Sequence, residues 1–319
     1  MTVKPSSSTV KSTSQTDVLD FPARTKKRKV YGLIPERWNL AEKISKEEFK
    51  LSEAQFMKIV DEDDLQVKLQ ILENSREYLQ VKFRTLEVGD HVFSFKEFWS
   101  LPHGLTLLSS WFQWVTGGSD DGWLCATIEK NLESVLIIIS EIISDKKGNL
   151  WYQKMKQYQH ESELRTGNQT SYWVYLLREW SKMYKENPSR FIFIEGEDSI
   201  QDISTQPHVN VRTVANPGQD FAERVVVSVK VGGDLVFEDI GLSAALAAAV
   251  EIAFVFNLCY DKEADSTVNF VQRILGGFGP DEGARNEKGM VKGSYISFQS
   301  ELGSLLVRKK LGAVKTIFK

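Results

Sequence analysis

Three groups of carboxylates are the residues most able to do chemistry. They are Asp61-Glu62-Asp63-Asp64, Asp120-Asp121, and Glu195, Glu197 and Asp198 in the string Glu195-Gly196-Glu197-Asp198. Carboxylate oxygens are the natural ligands of hard divalent cations, and two carboxyls in different surroundings can serve as general acid and general base. The third group follows a short apolar run, 191–194, where side chains of an active site often leave a sheet. A metal-dependent nuclease or similar enzyme would need Glu195, Glu197 or Asp198 within bridging reach of Asp120 or Asp121. Nothing in the spacing brings them together, and each group also reads as a solvated turn of an acidic protein.

Other chemistry is excluded by spacing. His91, His103, His160 and His208 stand alone, with no H-E-x-x-H and no His/Cys cluster at zinc-binding intervals. No G-x-S-x-G surrounds a serine, and no G-x-x-x-x-G-K-[ST] is present, which removes the local signatures of α/β-hydrolases and P-loop NTPases. Gly276-Gly277-Phe278-Gly279-Pro280 lacks dinucleotide-site spacing, and Pro280 has no N–H to offer a phosphate. Cys125 and Cys259 lie far apart among apolar neighbours and read as buried thiols in a reducing compartment. The sequence therefore assigns no catalytic residue, no metal and no cofactor.

Charge is the stronger signal. The 319 residues carry a net charge of −3. Residues 1–30 hold seven Lys or Arg against two Asp, and residues 305–319 hold five Lys or Arg with no acid. The remainder holds 28 basic and 41 acidic residues. An acidic body with basic ends implies an anionic partner met through those ends, or ends read by a receptor. Residues 1–30 are rich in Ser and Thr and poor in large apolar side chains, which predicts a disordered tail. It closes on Lys26, Lys27, Arg28 and Lys29, followed by Val30. Four consecutive cations suit a groove lined with acids and Trp. The string resembles the monopartite nuclear import signal of polyomavirus large T antigen, which implies a nuclear import receptor as partner and a nuclear location. Arg308, Lys309, Lys310 and Lys315 are the matching candidates for nucleic-acid contact. The interleaved stretch 151–158, with Trp151, Tyr152, Lys154, Lys156 and Tyr158, offers stacking and phosphate contacts. The preferred reading is a helix with Trp151, Met155 and Tyr158 turned to the core.

The elements that must position these groups follow from periodicity. All eight Trp fall within residues 31–190, marking a densely cored helical half. Ser52-Glu53-Ala54-Gln55 matches a capping box and predicts a helix starting at Ser52, with Phe56, Ile59 and Val60 inward. Leu124, Ile128, Leu132, Val135, Leu136, Ile139 and Ile143 form one stripe over 123–143, opposite Glu129 and Glu133. A further helix over 171–186 carries Trp173, Leu176, Leu177, Trp180 and Tyr184, and Asn187-Pro188 stops it. Two short aromatic segments, 95–101 and 105–115, flank Pro102-His103-Gly104. Beyond residues 187–190 the period shortens towards two. Residues 191–194, and Val209, Val211 and Thr213, read as strands. Runs 224–231 and 234–239 around Gly232-Gly233 read as a β-hairpin. Segments 199–207 and 276–293 read as loops.

Residues 240–260 are mostly apolar and long enough to raise a membrane span. Glu251 in mid-run and the many Ala argue for a buried helix instead, and no membrane partner is expected. A helix over 265–276, with Val268, Val271, Ile274 and Leu275 on one face, would pack beside it. Across this pair Phe256, Asn257 and Tyr260, then Thr267, Phe270 and Gln272, form a pattern F-N-x-x-Y followed by T-x-x-F-x-Q. It resembles a C-terminal module that recurs in large sets of animal proteins, many of them abundant in fish genomes. Asp261 stands where that module often has Pro. The resemblance implies a genome-expanded or mobile-element-associated protein and brings no activity. Asn257 and Gln272 are expected to hydrogen-bond within the helix pair.

Together these readings give an α+β fold, mainly α. A disordered basic tail (1–30) precedes a helical Trp-rich half (31–190) and an α+β half (191–319) with a β-hairpin and a buried helix pair. The function expected is a non-enzymatic nuclear interaction or nucleic-acid-associated protein. The alternatives are a self-associating nucleocapsid-like protein that holds nucleic acid on its basic arms, and the carboxylate-metal enzyme.

Overall fold

The computed structural model describes residues 46–76, 78–79, 103–116, 122–147, 153, 156–157, 160, 170–215, 222–256, 258 and 260–277. The fold is α+β and mainly α: seven α-helices and a four-stranded sheet among the described residues. The helices are α1 (Lys46–Met57), α2 (Leu65–Asn74), α3 (Gly104–Thr116), α4 (Trp123–Lys147), α5 (Thr170–Met183), α6 (Leu242–Val255) and α7 (Asp265–Phe270). The strands are β1 (Ile192–Ile194), β2 (His208–Ala215), β3 (Ala222–Val231) and β4 (Asp234–Phe237).

Strong apolar stripes produced the expected helices. Leu124, Ile128, Leu132, Val135 and Leu136 of α4 are buried, while Glu129 and Glu133 face outward. α5 turns Val174, Leu176, Leu177 and Trp180 inward, and Asn187 closes the turn after it by accepting the Ser189 N–H. The first helix differs from expectation. Ser52 lies inside α1, because Lys46, Glu47 and Glu48 are good helix formers and extend the helix backwards past the capping-box position. Ile59 and Val60 fall in the turn after α1, with Ile59 fully buried.

The sheet runs β1-β2-β3-β4. β1 and β2 are parallel, joined by a crossover over residues 195–207 that contains one 3₁₀ turn, Ile200–Asp202. β2–β3 and β3–β4 are antiparallel. Gly232 and Gly233 connect β3 to β4 with φ of 59° and 92°, the left-handed pair that a two-residue hairpin turn requires.

Register sorts the sheet into two faces. Ile192, Ile194, Val209, Val211, Val227 and Val229 point to α6 and the main core. Phe193, His208, Asn210, Arg212, Val226, Ser228 and Lys230 lie on the opposite face, which is largely polar. α6 packs on β2 and β3 and lies between them and the helices α3 and α4. Its Ala245, Ala247, Ala248, Ala249 and Ala253 are all buried, so small side chains permit close approach on every side. No helix among the described residues is long and apolar enough to cross a membrane.

One apolar core runs from Phe56 to Leu275. The change of period at residues 187–190 thus marks where helices give way to strands, and side chains from both halves share that core. α7 continues into a π turn, Val271–Leu275, with Val268, Val271, Ile274 and Leu275 buried as expected. The segment 95–101, the aromatic residues of 151–158, and Asn257 and Cys259 lie outside the described residues, as does 276–293 beyond Gly277.

Candidate functional site

Among the described residues the densest polar assembly is built where β1 ends. The loop after β1 carries Glu195, Glu197 and Asp198, and α5 passes beside it with Tyr175 and Arg178. Asp198 is the centre. Its carboxylate accepts two bonds from the Arg178 guanidinium at 2.6 and 2.7 Å, one from the Ile194 N–H at 2.6 Å and one from the Ser189 hydroxyl at 2.8 Å. Arg178 also donates to the Ile192 carbonyl. Both side chains of the ion pair are about nine-tenths buried. Burial acts to raise the Asp198 carboxyl, but Arg178, the Ile194 N–H and Ser189 outweigh it and hold the group below the usual carboxylate range.

The two glutamates point elsewhere. Glu195 accepts from Lys230 Nζ and from Asn210 Nδ2, both at 2.9 Å, and the Lys230 bond leads in holding its carboxyl low. Glu197 accepts from the Tyr175 hydroxyl. The three acids thus diverge onto separate partners, and their charge is spent fixing the β1 loop to α5 and to the polar sheet face. Among the described residues no group of three or more His, Cys, Asp or Glu is placed to hold a metal ion. Asp120 and Asp121 lie outside the described residues.

The first acidic cluster has a local role. Asp64 is the N-cap of α2, accepting from the N–H groups of Gln66 and Val67, and Glu62 accepts from the N–H groups of Asp63 and Asp64. α2 itself carries a weak pattern, since Lys68 occupies an inward position between Leu65 and Leu72. Lys68 is fully buried and its Nζ has no hydrogen-bond partner among the described residues.

His208 begins β2 on the polar face and is fully buried. Its Nδ1 lies 3.0 Å from the Gln206 carbonyl. A carbonyl only accepts, so Nδ1 carries the hydrogen and Nε2 presents a lone pair, which has no partner among the described residues. Burial lowers its affinity for a second proton, and the Lys230 charge, on the residue paired with it across the sheet, acts in the same direction. Beside it, the Ser204 hydroxyl donates to Asp261 at 2.9 Å and accepts the Gln206 N–H, clasping the crossover loop to the turn after α6. His103 and His160 are exposed, and His91 lies outside the described residues.

A second buried acid was passed over in the sequence except as an argument against a membrane span. Glu251 of α6 is 2% exposed, and among the described residues its carboxylate receives only the Ser109 hydroxyl of α3, at 3.0 and 3.2 Å. Burial pushes this carboxyl up to about 7. Cys125 of α4 is close enough to feel its charge; burial first, and Glu251 next, raise the thiol. The sequence signal was present: a lone Glu in an Ala-rich run with no Lys or Arg on its helix.

The described residues of the pattern F-N-x-x-Y and T-x-x-F-x-Q make structural contacts in this fold. The Tyr260 hydroxyl donates to Gln272 Oε1 at 2.7 Å, Thr267 is bound by Glu186, Phe270 packs on Trp180, and Phe256 meets Trp111 edge-on. The expected import residues Lys26, Lys27, Arg28 and Lys29, and the expected nucleic-acid contacts Arg308, Lys309, Lys310 and Lys315, lie outside the described residues. No family model matches this chain, and no curated protein or solved structure does so either.

Proposed function

We propose that this protein is a nuclear, nucleic-acid-associated interaction protein that works through its two basic segments. The observation that carries this reading is the segregation of charge. Residues 1–30 hold seven cations against two acids and residues 305–319 hold five against none, while the intervening chain is strongly acidic. An acidic body repels a polyanion, so phosphate contacts fall to the segments that depart from it. Lys26, Lys27, Arg28 and Lys29 engage an import receptor, and Arg308, Lys309, Lys310 and Lys315 contact phosphate without reading bases. The pairing of Glu195, Glu197 and Asp198 with Lys230, Tyr175 and Arg178 supports a binding role over the carboxylate-metal alternative.

Two measurements test the reading. A fluorescent reporter on the full chain is expected in the nucleus, and the variant with Lys26, Lys27, Arg28 and Lys29 changed to Ala outside it. Equal distributions would overturn the import assignment. Binding to DNA or RNA oligonucleotides is expected to weaken steeply with salt and to vanish when residues 1–30 and 305–319 are removed. Unchanged binding by the trimmed chain would place the contact on the body instead.

A further inference from the structure

We propose that Glu251 and Ser109 form a proton-operated joint between α6 and α3: the neutral carboxyl holds the helices closed, and separating them releases the proton. This inference is independent of the charge-based reading above, since it concerns the core alone.

The geometry supplies the argument. A carboxylate transferred from water to an apolar core loses several strong hydrogen bonds, and an anion there needs a cation or multiple donors to persist. Glu251 has one hydroxyl. None of the described elements packed on α6 makes up the deficit. α3 carries no ionisable side chain over Gly104–Thr116. α4 brings the Cys125 thiol, which burial and Glu251 raise and which carries no positive charge, and turns Glu129 outward. β2 and β3 turn Val209, Val211, Val227 and Val229 towards α6 and keep Arg212 and Lys230 on the opposite face. Arg273, the charged residue of the π turn, is half-buried, and among the described residues Ser109 alone lowers the Glu251 carboxyl. The closed joint is therefore most stable with Glu251 neutral.

Opening exposes the carboxyl to water, where it returns towards the ordinary glutamate value and loses its proton. The proton is thus bound by the closed state and released by the open one. The elements that part are apolar: Trp111 of α3 against Phe256, and Phe112 of α3 against Phe254 and Trp123. Loss of the proton near neutrality is linked to exposure of this aromatic face.

Amide hydrogen exchange of the full chain between pH 5 and pH 8, corrected for the intrinsic rate, reads the joint directly. The opening constant of α3 and of the facing part of α6 is expected to rise on the order of 50-fold across this range, levelling off above the Glu251 value near 7. Glu251→Gln keeps an acceptor for Ser109 and has no proton to lose, so its protection is expected to stay flat. Equal pH dependence in the two proteins, or a flat profile in the parent chain, would overturn the proposal. Should Glu251→Gln fail to fold, Ser109→Ala decides: it removes the one group that favours the anion and is expected to move the levelling-off to higher pH. An unmoved profile in Ser109→Ala would overturn the joint equally.

Discussion

The carboxylate of Glu186 accepts both the backbone N–H and the side-chain hydroxyl of Thr267, a residue 81 positions further along the chain. The Ser266 N–H joins it. α7 has six residues and no side-chain cap of its own, so an acid from the end of α5's turn does the capping from outside. Burial pushes the Glu186 carboxyl up, while these donors pull it down.

That relationship predicts a confined lesion. Glu186→Ala leaves three donors with no acceptor in a partly buried site and is expected to cost about 1–3 kcal/mol. Urea denaturation reads the loss, and hydrogen exchange should show it concentrated in residues 265–275. Thr267→Val removes one bond of the three and should cost about 1 kcal/mol. Losses of equal size spread over the sheet would show that Glu186 acts elsewhere.

The buried ion pair gives the second prediction. Removing one member of a pair shielded this well costs about 3–5 kcal/mol, because the survivor keeps its charge and loses its counter-ion. Arg178→Met should fall in that range, and Arg178→Met combined with Asp198→Asn should recover part of it. The folded Asp198 carboxyl lies below its usual value of 3.8, so its contribution is present above that pH and is lost as the pH falls through the lower folded value. Denaturation from pH 7 downwards should show the gap between the parent chain and Arg178→Met narrowing as the pH falls through the folded Asp198 value.

Much of the scaffold was legible in the sequence, and particular residues show why. The Gly232-Gly233 pair demanded a left-handed turn, and the Leu124-to-Leu136 stripe left one face to bury. Both signals are local and survive folding unchanged. α2 was not legible, because Lys68 interrupts its apolar stripe and its start is set by Asp64, which reads as one more acid in a run of four. Nor was the pairing around β1. Asp198 and Arg178 stand 20 residues apart, and only the meeting of α5 with the β1 loop tells a salt bridge from a metal ligand. Thr267, Phe270 and Gln272 were visible as a pattern, yet their partners Glu186, Trp180 and Tyr260 come from outside it or from its far side.

The third prediction concerns close packing behind the π turn. A Cβ on Gly276 would lie 2.5 Å from Leu124 Cδ1 and 2.8 Å from the Gln272 carbonyl oxygen. Neither the backbone nor the buried Leu124 yields cheaply, and Asn131 pins the neighbouring Leu275 carbonyl at 2.9 Å. Gly276→Ala is expected to destabilise by about 1–3 kcal/mol through overpacking. Gly241→Ala is the control, since nothing lies within 4 Å of a Cβ there and its φ is −62°. Thermal unfolding of the pair should separate a packing effect from the mere loss of a glycine.

His208 gives the last prediction, and its sign opposes that of Glu251. The unfolded chain takes up a proton on this histidine as the pH falls through its ordinary value of 6.5, while burial and Lys230 deny the folded chain the same proton. Stability is therefore full above 6.5 and declines as the pH drops below it. The Glu251 contribution runs the other way, declining as the pH rises from the ordinary glutamate value of 4.5 towards about 7. The two act in opposite directions, so the parent chain alone shows only their difference. In the Glu251→Gln background the acid limb of His208 should stand out in urea titrations at pH 5, 6 and 7. Changing His208 to Gln in that background should flatten it. A persistent acid limb in the double variant would assign the loss to other groups. Its disappearance would assign the acid limb to His208, whose Nδ1 hydrogen is held on the Gln206 carbonyl.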